Sequence, residues 1–312
     1  MRKKIHLDTD LGGDIDDLCA LAMLLRWPGG VDLTGITTVG DTNGRRAGYV
    51  RYVLDLEGRQ DILVKAGADT SQGFYRQELG LPDEERYWPE PVKPSPNPTE
   101  EAIHLLKKSI KQGATVIGIG PYTNLSLLEY QFPGILMQAS LFLMGGFVYL
   151  PQAGFPNWGN EMDFNIQVDI RSAAHVIRNS DPTLIPLPVT IETFLRGAYL
   201  EDLRKSGALG RLITRQAEAF VVDAGNEIYG ETCVGLPKDI INFQYDPLAC
   251  AIALGWDEGV EIEEIPLIPE EKDGWLVEHI HPAGKPVRVV TKADGARFSE
   301  FWLDVITGII GR

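Results

Sequence analysis

The chain has 312 residues, 44% apolar and 23% charged, with a formal net charge of −15. It is long enough to bury a large core, and its composition is that of an ordinary folded protein. The acidic balance and the lack of a basic run argue against nucleic acid or an anionic membrane as partner. With no apolar leader and no long apolar span, a cytoplasmic protein is expected.

Strand-like and helical runs alternate along the chain. Ile5-His6-Leu7 reads as a strand leading into an acidic turn, and Asp17 to Arg26 as a buried helix ended by Pro28-Gly29-Gly30. Val31 to Val39 is a strand, Arg45 to Glu57 a helix and Asp61 to Ala66 a short strand. Residues 68–98, rich in Pro, Gly and charge, read as an irregular surface excursion. A helix then starts with Asn97 as cap and Pro98 at its first position, and runs to Lys111. Ala114 to Ile119, Leu141 to Met144 and Thr183 to Val189 are further strands, the last broken by Pro186 and Pro188. A hairpin is expected near Pro282-Ala283-Gly284. This alternation predicts one α/β domain over residues 1–312, a mostly parallel central sheet with helices on both faces. Cys19, Cys233 and Cys250 lie far apart and read as free thiols.

The acidic turn is the strongest chemical signal. Asp8, Asp10, Asp14, Asp16 and Asp17 fall within ten residues. Two carboxylates about 5 Å apart repel by roughly 3 kcal/mol at an effective dielectric of about 20. A hard cation such as Ca²⁺ or Mg²⁺ reverses the sign. Asp8 and Asp10 share one side of the strand, Gly12 and Gly13 permit a turn, and Asp14 or Asp16 can cap the helix that follows. The carboxylates therefore gather at the carboxyl end of a strand, where open α/β sheets place ligands. An EF-hand fails, because Gly12 and Cys19 stand where it needs ligands. A phosphate-binding Gly-Lys-Ser/Thr loop is absent. The Asp-x-Asp start also resembles the haloacid-dehalogenase Mg²⁺ phosphatases, although Leu11-Gly12 departs from their pattern.

Four motifs in order resemble the inosine/uridine-type nucleoside hydrolases: Asp8-Thr9-Asp10…Asp16-Asp17 before an apolar helix, Gly120-Pro121-Tyr122-Thr123-Asn124, Met144-Gly145-Gly146 followed by Asp163-Phe164-Asn165, and Asp246-Pro247-Leu248-Ala249. The acidic turn is two residues longer than the family's shortest version, and Asp14 fills part of it. The resemblance implies Ca²⁺-dependent hydrolysis of a ribonucleoside N-glycosidic bond. Asp10, Asp17, Asp246 and the carbonyl of Thr123 would hold the ion, with Asp10 as general base for a water on it. Asp16 would accept from the ribose 2′-hydroxyl. Asp41, Asn157, Asp163 and Asn165 would surround the sugar, and Asp8 would support the metal site from behind. It also implies a homo-oligomer, dimer or tetramer. Tyr245 stands where the family often has His as acid to the leaving base, and Asp163 where it often has Glu. Tyr245 then becomes the candidate donor, and a nucleoside-binding protein with little turnover is the alternative.

The remaining residues have plainer readings. His6 reads as a core or supporting residue, and His104 and His175 as exposed helix positions. Phe155, Trp158 and Tyr229 could stack on a base, Trp158 above all because it lies in the sugar loop. Glu161 in that loop is either a ligand or a solvated charge. Residues 147–162, irregular in pattern, are expected to order over a bound sugar.

Overall fold

The computed structural model describes residues 2–69 and 84–310. Eleven strands are present among them: β1 (Lys4–Thr9), β2 (Asp32–Thr38), β3 (Val64–Ala66), β4 (Thr115–Gly118), β5 (Ser140–Met144), β6 (Pro182–Ile185), β7 (Phe194–Arg196), β8 (Ile240–Phe243), β9 (Glu261–Lys272), β10 (Trp275–Ile280) and β11 (Lys285–Lys292). Nine form one sheet in the order β10-β9-β11-β6-β5-β4-β1-β2-β3. From β11 to β3 all neighbours are parallel, and β9 and β10 extend that edge antiparallel. β7 and β8 form a separate antiparallel pair.

The longer helices are α1 (Asp16–Arg26), α2 (Arg45–Leu56), α3 (Thr99–Lys111), α4 (Thr123–Gln131), α5 (Ile170–Asn179), α6 (Ala208–Ala224), α7 (Tyr245–Leu254) and α8 (Gly295–Thr307). Successive residues of a strand point to opposite faces, and the central strands show it. Ile117 and Ile185 belong to one apolar core with α1, α2, α6, α7 and α8, whereas Val116 and Leu184 belong to the other with α3, α4 and α5. Both faces are covered, which explains why these strands are apolar throughout rather than alternating.

Four local readings change. The sixth strand stops at Ile185, because Pro186 offers no N–H to the ladder and Pro188 falls at the start of a helical turn, Leu187–Thr190. Pro98, not Asn97, precedes α3; Asn97 instead bonds both Ala66 N and Ala66 O at the sheet edge. Residues 84–98 are not all surface, since Tyr87, Trp88 and Val92 are buried and Trp88 stacks on Tyr49 at 4.4 Å; residues 70–83 of the same stretch lie outside the described residues. Finally, the segment around Pro282 does not close a hairpin. Its flanking strands β10 and β11 both pair with β9, and the β9–β10 turn is at Asp273-Gly274.

Candidate functional site

β1 has β2 on one side and β4 on the other, so the connections leaving its two sides diverge at its carboxyl end. This divergence opens the crevice that ligands use in such sheets. The acidic turn lies there. Gly12 takes a φ of 113°, a conformation side-chain-bearing residues resist. From the next strand, a Cβ on Gly120 would stand 2.7 Å from Asp10 Oδ1, so only glycine lets the β4 loop approach this closely.

The crevice is a cavity of about 350 Å³. Asp10, Asp14, Asp16, Asp17 and Asp246 line it, with Arg46, Asn165 and Tyr245; Ile119, Met144, Leu187, Met162, Phe164 and Trp158 supply apolar surface. Asp246 reaches it from the first turn of α7, which packs against α1. Ligand oxygens of Asp16, Asp17 and Asp246 all lie within 4.8 Å of one another. All three are buried. At such separations each charged pair repels by roughly 3 kcal/mol at an effective dielectric of about 20. Burial together with this repulsion pushes all three carboxyls well above the ordinary carboxylate range. Buried carboxylates that offer only oxygen and outnumber the nearby Arg46 guanidinium fit a hard divalent cation. The resemblance implied Asp10 with Asp17 and Asp246; the close cluster brings Asp16 together with Asp17 and Asp246.

Asp10 is buried beside this triad, and desolvation raises its carboxyl while the Arg46 guanidinium lowers it. Arg46, itself buried, donates Nε to Gly40 O at 2.9 Å and Nη1 to Asp10 O. Beneath the turn, Asp8 accepts from Thr37 Oγ1 at 2.6 Å and from Asn124 Nδ2 at 2.8 Å. His6 continues this network, Nε2 to Thr37 Oγ1 at 3.0 Å and Nδ1 to Ser109 Oγ at 2.9 Å. Burial takes the imidazole down to about 3, which leaves it neutral, and the Asp8 carboxyl up to about 7.

A family model described as inosine-uridine preferring nucleoside hydrolase matches residues 5–300. The chain belongs to this family. It is a nucleoside hydrolase, a hydrolase acting on N-glycosyl compounds. It is 30% identical over 228 residues to the non-specific ribonucleoside hydrolase RihC of Salmonella agona, covering 67% of this chain and 69% of that protein. It is 31% identical over 216 residues to the pyrimidine-specific ribonucleoside hydrolase RihA of Shewanella baltica, covering 65% of each. Among solved structures, the plant nucleoside hydrolase PpNRh1 superposes with a TM-score of 0.80 at 18% identity, over 98% of this chain and 99% of that one. The purine-preferring ribonucleoside hydrolase of Gardnerella vaginalis gives 0.77 at 22% identity, over 99% of both chains. These two show the shared fold.

In this nucleoside hydrolase the other expected site residues divide into two groups. Asn165 and Trp158 line the cavity. Asn165 donates Nδ2 to Ile119 O and Met144 O at 3.0 and 3.2 Å, so what it can offer a ligand is its acceptor Oδ1. Trp158 meets Phe243 and Tyr229 edge-on at 5.2 and 5.3 Å, and Phe243 lies 5.5 Å from Tyr245. These rings make one aromatic wall.

Asp41, Asn157, Asp163 and Thr123 do not line the cavity. Asp41 accepts from Arg46 N, Ala47 N and Thr38 Oγ1, and so holds the start of α2. Asn157 is exposed. Thr123 is buried at the first position of α4 and donates its hydroxyl to Asp169 at 2.7 Å. Asp163, one methylene shorter than Glu, is buried and accepts from Gly146 N at 2.5 Å. Glu278 of β10, also buried, accepts from Phe147 N at 3.3 Å. Burial raises Asp163 to about 7; burial, with Asp163 nearby, raises Glu278 to about 8.

Sequence reasoning missed Arg46, Asn242 and Glu278. Arg46 follows Arg45 in a polar stretch and reads as solvated; only the tertiary fold turns it inward. Asn242 and Glu278 carry no local motif. Among the histidines, His104 is exposed, while His175 is half-buried against Tyr130 in a parallel stack at 4.0 Å. His279 lies 3.6 Å from Glu270, across the β9–β10 pair. Cys19, Cys233 and Cys250 are free thiols. No described helix is long and apolar enough to cross a membrane.

Proposed function

We propose that this nucleoside hydrolase cleaves the N-glycosidic bond of a ribonucleoside with Ca²⁺ held by Asp16, Asp17 and Asp246, and with Asp10 as general base. The observation that carries this reading is the cluster of buried, mutually repelling carboxylates beside Asp10 in a cavity with an aromatic wall. Asp10 and the carbonyl of Thr123 are the remaining ligands implied by family resemblance. When bound, the cation supplies Lewis acidity and the positive charge that lets these carboxylates ionise together.

This chain's own residues supply the rest. Asp10 takes a proton from the water that attacks the anomeric carbon. As the C–N bond breaks, its electron pair leaves with the base and positive charge builds on the ribosyl group. The carboxylate-lined floor stabilises that charge electrostatically. Asn165 Oδ1 accepts from a sugar hydroxyl, and Trp158 with Tyr245 flanks the base. Burial and the charges of Asp14 and Asp16 push the Tyr245 phenol well above its ordinary value. Tyr245 therefore stays protonated and assists departure by donating a hydrogen bond rather than by releasing its proton. A Tyr in this place, with so weak an acidity, also keeps the binding protein of low turnover as the second reading.

Base release from a nucleoside panel, with and without chelator, decides between them. Metal-dependent release is expected, and Asp10→Ala loses about 10²–10⁴-fold in turnover, the usual contribution of a general base. Tight ribonucleoside binding without release, measured by calorimetry beside single-turnover kinetics, would establish the binding protein instead. Exposed apolar side chains at Leu150, Ile228 and Val234 suit a dimer or tetramer, which sedimentation measures.

A further inference from the structure

Asp14 occupies the extra length of the acidic turn, and it has a dedicated support. Asn226 donates Nδ2 to Ile241 O at 3.1 Å and to Asn242 Oδ1 at 3.2 Å. That contact makes the Asn242 oxygen an acceptor and directs its Nδ2 as the donor, which goes to Asp14 Oδ1. Ile15 N donates to the same carboxylate oxygen. Asn242, the middle of this ladder, is 1% exposed, whereas Asp14 and Asn226 at its two ends are half-buried. Arg46, which lines the same cavity, donates elsewhere, to Gly40 O and Asp10 O.

Asp14 lines the cavity together with Tyr245 and is the charge that acts most strongly on that phenol, so it lies beside the place proposed for a flat base. It adjoins Asp16 in the turn but is not a member of the close carboxylate triad.

We propose that Asp14 reads the edge of the leaving base and selects bases carrying an exocyclic amino group over their keto counterparts. This rests on the ribonucleoside hydrolase reading. Ile15 N and Asn242 Nδ2 both donate to Asp14 Oδ1, so the geometry presents this side chain as a hydrogen-bond acceptor. An amino group at that edge presents N–H donors to it, whereas a keto oxygen presents lone pairs and leaves two acceptors opposed. Hydrogen-bonded recognition of one base edge discriminates on the order of tenfold or more.

Matched nucleosides test it: cytidine against uridine, adenosine against inosine, guanosine against xanthosine. kcat/KM is measured with Ca²⁺ for the wild type, Asp14→Asn and Asn242→Ala, each checked for folding by circular dichroism and melting. The wild type is expected to favour the amino member of at least one pair by about tenfold or more. Asp14→Asn, whose amide can donate to a keto oxygen, is expected to shrink or invert that ratio. Asn242→Ala, which frees the carboxylate from its support, is expected to shrink it, and it carries the test if Asp14→Asn does not fold. Equal rates within every wild-type pair, or an unchanged ratio in a folded variant, overturn the proposal while leaving the hydrolase reading intact. No base release from any nucleoside removes the hydrolase reading and this inference with it.

Discussion

The hydroxyl of Thr9, the last residue of β1, donates to the carboxylate of Asp17, the second residue of α1. Leu11 N donates to the same hydroxyl oxygen at 3.2 Å, so one side chain fixes both the start of the acidic turn and the aim of a metal-cluster carboxylate. Partners that orient a ligand typically contribute 10–100-fold in metal affinity. Thr9→Val keeps the branched shape and removes both bonds. It is expected to weaken Ca²⁺ binding by about 10–100-fold in a calorimetric titration. An affinity equal to wild type would show that Asp17 is aimed by its backbone alone.

On the proposed Ca²⁺ reading, the three close carboxylates repel one another in the metal-free protein and stabilise the metal-loaded one. Asp16→Asn removes one repelling charge and keeps the shape. In chelator it is expected to melt higher than the wild type. With Ca²⁺ the order reverses, because the wild type gains more from ligation; binding at 100 times Kd stabilises by about 2.7 kcal/mol. Melting curves of both proteins in both conditions check this. A wild type whose melting temperature is indifferent to Ca²⁺ would remove the metal site.

The legible part of the molecule was whatever the chain writes locally. The acidic turn of β1 and α1 holds all its carboxylates within ten residues, and apolar strands before Gly or Asn marked the sheet edge. Asp246 lies far along the chain and was reached only through family resemblance. What stayed hidden depends on long-range pairs. Asn242 and Asp14 are 228 residues apart, and Glu278 holds an amide 131 residues away. Asp41 and Asp163 were legible as conspicuous acids, but their oxygens serve backbone amides behind the cavity, a distinction sequence spacing does not carry.

Glu278 predicts a pH dependence independent of the metal cluster. Its folded value, about 8, lies above its ordinary 4.5. Between these values the folded protein keeps a proton that the unfolded chain releases, so raising the pH through this window lowers stability. The contribution is fully present below 4.5 and lost as the pH passes about 8. Asp163, raised to about 7, acts in the same direction. Glu278→Gln keeps an acceptor for Phe147 N and removes the titration. It is expected to flatten the fall in melting temperature toward alkaline pH and to melt above the wild type there. Parallel curves for the two proteins would show that Glu278 does not titrate in this range.

The loop 147–162 is tied at identifiable points. Phe147 N bonds Glu278, Gly154 O accepts from Gly235 N at 2.9 Å, and Asn160 Nδ2 donates to Leu276 O at 3.0 Å. It carries Trp158 between these ties and ends at Met162, with Phe164 just beyond; all three line the cavity. Closing such a loop over a bound sugar excludes water that would compete at the reacting carbon. Hydrogen exchange with and without a ribose-like transition-state mimic should show slower exchange in residues 148–159 of the occupied protein. The amides of Phe147 and Gly235, already bonded, should change little. Equal protection in both states, with occupancy demonstrated by calorimetry, would mean that the loop is a preformed wall. Trp158 would then be in place before the base arrives, and Trp158→Ala would lower affinity while leaving hydrogen exchange in the loop unchanged.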